Sequence, residues 1–202
     1  MKSKCFTFIG CLLYLGGQPF AAANEEAKLS GKVRSSSATI EDEAKKSYPN
    51  YPTVIAMDKV ASQLSKDKID SMATPKLKRQ TAAAIFLGYY VSHTHTVTEY
   101  CQDNEADVST YTEAFHSLHQ KEFETALSVL SFNQKKFIQF YEKIRPQMLE
   151  HKALDIGYIA SENRLTLNQA CQFLSDNVKH WIPEMHISAI QPFVYSTLML
   201  EN

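Results

Sequence analysis

The chain is 202 residues long, with 21 Lys plus Arg against 22 Asp plus Glu and 44% hydrophobic residues. Its formal net charge of −1 excludes a general phosphate-backbone binder, which needs a basic surplus, so no nucleic acid is expected as partner. Gly31, Gly88 and Gly157 are the only glycines after residue 23, which excludes phosphate-cradling loops, dinucleotide fingerprints and nucleophile elbows, all of which need clustered glycines.

Residues 1–23, MKSKCFTFIGCLLYLGGQPFAAA, read as a signal peptide. Lys2 and Lys4 give a positive start, Phe6 to Leu15 an apolar run, and Ala21-Ala22-Ala23 the small residues for cleavage after Ala23. That run falls short of the about 20 residues a helix needs to span hydrocarbon, so no transmembrane anchor is expected in the mature chain. A lipid-attachment reading of Ile9-Gly10-Cys11 is disfavoured, because only Phe6, Phe8 and Ile9 supply apolar bulk ahead of that cysteine. The protein is therefore expected to be exported, periplasmic or secreted. The mature chain keeps 19 Lys plus Arg against 22 Asp plus Glu, a net charge of −3.

Residues 24–50 hold few large apolar side chains, a serine triplet and mixed charge. Such a segment cannot bury enough surface to offset its ordering entropy, and it reads as a flexible polar tail before a helical domain at 51–202. After Pro52, Val54, Met57, Val60, Ala61 and Leu64 recur at helical steps, predicting a first helix to about Asp70. Thr74-Pro75 supplies a cap and a proline at the first helical position, opening a long second helix to about Gln102. Its end carries YYVSHTHTVTEYC, where alternating Thr94, Thr96 and Thr98 make this the place at which helix continuity is weakest.

A third helix is expected from Asp107 or Ser109 to about Leu130, with a possible break near Gln120 where the apolar stripe changes phase. A fourth runs from about Asn133 to Ser161 with a kink or break at Pro146. The fifth has capping-box spacing at Thr166 and Gln169 and an apolar stripe from Leu167 to Trp181, ended by Pro183. A last helix spans about Ser188 to Leu200, with Pro192 tolerated only in its first turn. No hairpin signal separates two alternating apolar runs, so the fold class is all-α: a bundle or orthogonal array of five to six helices around a long central second helix.

Cys5 and Cys11 leave with the signal peptide, so Cys101 and Cys171 remain, and an even pair in an exported protein forms a disulfide. Seventy positions apart, they are not a Cys-x-x-Cys redox motif, and their bond would fasten the second helix to the fifth.

His93 and His95 point about 200° apart on a regular helix and cannot chelate one ion. His93 falls on the bulky stripe with Phe86, Tyr89 and Tyr100 and reads as a core-edge histidine with a hydrogen-bonded ring, while His95 faces solvent. Glu113, His116 and His119 step by three and match the Glu-x-x-His ligand spacing of bundle metal sites, but bundle di-metal sites need two such motifs and only one is present. Lys76, Lys78 and Arg79 form a basic cluster in the first turn of the second helix, where either an anionic partner or plain solvation accounts for them.

No motif implies a cofactor, and none selects catalytic residues. The leading expectation is a module that binds another protein or peptide through a helix face or groove. A metal or small-ligand binder using Glu113, His116 and His119 is the alternative. A hydrolase whose site is assembled from residues distant in sequence is the second alternative.

Overall fold

The computed structural model describes residues 40–51 and 53–200. The expected signal peptide, its cleavage at Ala23 and residues 24–39 of the polar tail lie outside them. Every regular element among the described residues is helical. In chain order they are α1 (residues 40–47), α2 (Thr53–Asp70), α3 (Pro75–Val91), a π-helical segment (Ser92–Thr96), α4 (Val97–Asp103), α5 (Ser109–Leu130), α6 (Gln134–Asn163), α7 (Leu167–Asp176), α8 (Val178–Trp181), a 3-10 turn (Ile182–Met185), α9 (Ile187–Ile190) and α10 (Pro192–Met199). None of these helices is long and apolar enough to cross a membrane.

Helix α1 was not expected, since the folded part was placed from Tyr51 onward. It forms because Ile40 and Ala44, one turn apart, meet Ala56 and Val60 of α2 in a small cluster flanked by Tyr48 and Met57.

The long second helix lies at the centre. Thr74 caps it by accepting the Leu77 N–H, with Pro75 in the first turn. Its first part, α3, packs on α2, α5 and α10, and its later part reaches α6 and α7. Ala82, Ala83, Phe86, Leu87 and Val91 are fully buried there. The basic cluster at its start is partly used within the fold. The Arg79 Nε donates to the Leu198 carbonyl at the end of α10 (3.0 Å), and Lys78 lies 3.8 Å from Asp70.

Two of the expected helices run unbroken and two divide. Helix α5 is continuous through Gln120, and α6 is continuous through Pro146. The expected fifth helix instead ends at Asn177, whose side chain bonds back to the Phe173 carbonyl, and the chain continues as α8 and a 3-10 turn. The last helix divides at Gln191, so that Pro192 can open α10. The capping box at Thr166 and Gln169 forms in both directions.

Glycine scarcity shows at the helix ends. Glu105, Ser131 and Arg164 all adopt positive φ, between 53° and 59°, where glycine is usual. Each sits in a paired C-terminal cap, the next residue's N–H reaching five positions back: Ala106 to Cys101, Phe132 to Leu127 and Leu165 to Ala160. Backbone strain is tolerated at those sites because the orphan carbonyls are satisfied and an apolar residue then turns back onto the helix.

Cys101 at the end of the central helix and Cys171 in α7 are disulfide-bonded, with both residues fully buried. Closing a loop of 70 residues restricts the unfolded chain by about 4 kcal/mol. Replacing both cysteines with alanine should lower unfolding free energy by about that amount in urea titration. Protein lacking residues 1–23 and denatured without reductant should show no free thiol; two would contradict the bond.

Candidate functional site

The SHTHT segment forms neither strand nor break; it is a wide π turn. The cause is local. Threonine hydroxyls compete for helix carbonyls, Thr94 Oγ1 donating to Tyr90 O (2.8 Å) and Thr98 Oγ1 to Thr94 O (2.7 Å), which loosens the regular ladder. Single π turns of this kind recur at functional sites.

The two histidines of this segment point apart, as helix geometry requires. His95 is exposed at its edge, with its ring against Phe137 and Tyr141. His93 is fully buried; its Nδ1 meets the Tyr111 hydroxyl at 2.8 Å and its ring stacks on Phe115 at 4.9 Å. The Tyr111 hydroxyl sits between that nitrogen and Met185 Sδ (3.7 Å).

Helix α5 supplies the facing surface. Tyr111, Phe115, His119, Glu122 and Ala126 recur at steps of four, four, three and four, and all are buried. This spacing separates the residues of the expected metal set. A step of three turns back by about 60° on a regular helix, so Glu113, His116 and His119 drift about 120° around the axis. Glu113 and His116 are exposed, and only His119 points inward. The His116 Nδ1 is engaged by the Tyr90 hydroxyl (2.7 Å), whose proton is retained because burial pushes its pKa up to about 12. Both His119 nitrogens are used: Nδ1–H donates to Phe115 O (3.1 Å), and Nε2 accepts the Ile187 N–H (3.1 Å). No lone pair remains for a cation, and among the described residues no group of three or more His, Cys, Asp or Glu could hold one.

Helix α6 contributes an ion pair that the sequence reading missed. Lys152 Nζ lies 3.1 Å from Asp155 Oδ2, with both side chains nearly inaccessible. Met148, Lys152, Asp155, Ile156 and Ile159 share the inward face, so two charges at core positions of an otherwise apolar stripe were the available signal. These charges act on the histidine layer. Desolvation holds His93 well below its ordinary pKa, with the Lys152 and His119 charges adding to the effect. Desolvation raises the Tyr111 hydroxyl well above its ordinary range, assisted by Asp155.

A second polar pair joins α4 to α6. Arg145 grips Glu99 with two donors, Nε to Oε2 at 2.8 Å and Nη2 to Oε1, and the Tyr141 hydroxyl donates to Oε2 at 2.9 Å. The Arg145 hydrogen bonds hold the Glu99 carboxyl below its usual range.

The histidine layer continues to the corner at residues 185–188. The Tyr89 hydroxyl donates to Met185 O (2.6 Å), His119 receives the Ile187 N–H, and the His186 ring stacks on His119 at 5.2 Å. His186 caps α9, accepting the Ser188 N–H on Nδ1 (3.2 Å), and its Nε2 lies 3.5 Å from Oε1 of buried Glu122. No local motif marks His186 and Ser188 in the sequence; the fold brings Glu122 to them.

Comparison with protein-family models, with curated proteins and with solved structures finds no match to this chain.

Two outcomes follow from the buried layer. Burial lowers the His119 pKa to about 4, so the folded chain stays neutral there while the unfolded chain takes a proton below about 6.5. Unfolding then gains a proton, and stability should fall as pH drops from about 6.5 toward 4, by up to about 3 kcal/mol from this residue. His119→Gln should flatten that slope in urea midpoints measured across the window. Lys152→Met should cost about 3–5 kcal/mol by stranding Asp155, and adding Asp155→Leu should recover most of it in the same assay.

Proposed function

We propose that this protein is an exported helical module that binds an amphipathic helix of a partner protein on the outer face of α6. The observation that carries the reading is the surface around Gly157. Leu154 is 59% exposed and Tyr158, one turn further, 36%, while a Cβ built on Gly157 between them meets nothing within 4 Å. Two large apolar side chains beside open backbone let another helix approach closely, a geometry that larger residues would block.

The rim suggests the partner's chemistry. Glu162 lies one turn after Tyr158 and is exposed, and its charge helps to raise the Tyr158 pKa, after desolvation. A helix with an apolar stripe flanked by Lys or Arg complements this face. Export is supported by the Cys101–Cys171 bond, which persists in oxidising compartments, together with the signal-peptide reading of residues 1–23.

A photo-crosslinking residue at position 154, in protein returned to its native envelope extract, should yield one discrete adduct. The same residue at Glu142, exposed elsewhere on α6, should not, and Tyr158→Lys should weaken the adduct by about 2 kcal/mol in apparent affinity. An adduct at twice the chain mass would assign the face to a second copy instead. Equal labelling at 154 and 142 would contradict the proposal.

A further inference from the structure

The corner that carries His186 holds more than a helix cap. The Ser188 N–H donates to His186 Nδ1 at 3.2 Å, so that nitrogen must be bare, and the proton of the neutral ring sits on Nε2. Two consequences follow from this tautomer. The Ser188 hydroxyl, 2.7 Å from Nδ1, has its proton directed into the ring nitrogen, because Nδ1 can only accept. On the far side, Nε2–H faces Glu122 Oε1 at 3.5 Å. The arrangement is hydroxyl, imidazole and carboxylate in series, drawn from α9, its cap and α5.

Burial divides the three in the way a nucleophile requires. The Glu122 side chain is 5% exposed and the His186 side chain 25%, while Ser188 is partly open to solvent. The base is held in place from several sides: it stacks on His119 at 5.2 Å, meets the Tyr195 ring edge-on at 5.6 Å, and its loop is tied by Tyr89 and His119. A carboxylate behind an imidazole stabilises the imidazolium that forms when the hydroxyl proton is taken up. The ring nitrogens exchange the roles they have in the common serine triads, and such sets are recognised by geometry rather than by position.

We propose that Ser188 is a catalytic nucleophile for acyl transfer from small uncharged carboxylic esters, with His186 as general base and Glu122 as its positioning residue. In the reaction Ser188 Oγ bonds to the ester carbonyl carbon as its proton passes to His186 Nδ1. The carbon–oxygen bond to the alcohol breaks, and that proton leaves with the alcohol. Water then adds to the acyl-serine, giving one proton to Nδ1 as it attacks. The carboxylic acid departs and the proton returns to Ser188 Oγ. An anionic acyl group is disfavoured by the Glu122 carboxylate beneath the ring and by the net negative chain.

The test is covalent labelling of the full chain with an uncharged alkyl fluorophosphonate, followed by peptide mapping. The expected result is a single adduct on Ser188. His186→Gln should slow labelling by about 100-fold. Glu122→Gln should slow it less, and Glu122→Asp should recover part of the loss, because a carboxylate again faces Nε2. Ser188→Ala keeps the backbone N–H that forms the cap, and should abolish the adduct while leaving the circular dichroism spectrum unchanged. With 4-nitrophenyl acetate the wild-type chain should release nitrophenol in excess over Ser188→Ala. Absence of label at Ser188 in the wild-type chain, or labelling at a rate unaffected by His186→Gln, would overturn the proposal without reference to any variant's folding or to the α6 face.

Discussion

Everything in the interior depends on one constraint: histidines and tyrosines carried on inward helix faces must find hydrogen-bond partners where water does not reach. An unpaired polar group in such a place costs several times what a made hydrogen bond contributes. His119 meets the constraint completely, giving a proton to Phe115 O and receiving one from Ile187 N. That second bond reaches 68 positions along the chain and fixes where the corner before α9 must lie. His93 and Tyr111 join the central helix to α5 in the same manner. Aromatic faces fill the space between these bonds, with Phe115 stacked on His93 and tilted against His119.

The π turn follows from its own sequence. A helix run of Ser, His and Thr has weak intrinsic preference for the α form and ready hydroxyl competitors for its carbonyls. Widening the turn at Ser92–Thr96 lets Ser92, His93, Thr94 and Thr96 all be buried along a single segment. The disulfide lies one and a half turns further on, where Cys101 ties this loosened helix to α7. Beyond the less regular stretch, the helix is held by a covalent bond at Cys101 and by the Glu99–Arg145 pair.

Much of this was legible in the sequence, and for local reasons. Helix starts at Thr74 and Thr166 are written in residues three positions apart, and the cysteine pairing follows from counting. The opposite orientations of His93 and His95 follow from the angle per residue. What was not legible depends on contacts distant in sequence. The Glu113, His116, His119 spacing looked like a ligand face, because a three-residue step is nearly a turn; only packing shows that α5 turns its four-step face inward. Lys152 and Asp155 were visible as charges three positions apart on an apolar stripe, yet their burial depends on how α6 packs. Glu122, His186 and Ser188 could not be grouped without the fold, since Glu122 lies on α5 and no motif connects it to the later pair. Helix α6 shows both situations in one element, burying Lys152 and Asp155 on one side while Leu154 and Tyr158 face outward on the other.

The central claim is that the buried His119 ring is neutral and that its tautomer is fixed by the chain's own backbone groups. Long-range proton–nitrogen correlation NMR of the imidazole rings at about pH 6 reads this directly, since an unperturbed histidine would be largely protonated there. The account predicts His119 as the neutral Nδ1–H form. An imidazolium at His119, or a proton on its Nε2, would contradict the hydrogen-bond network on which the corner at residues 185–188 is built.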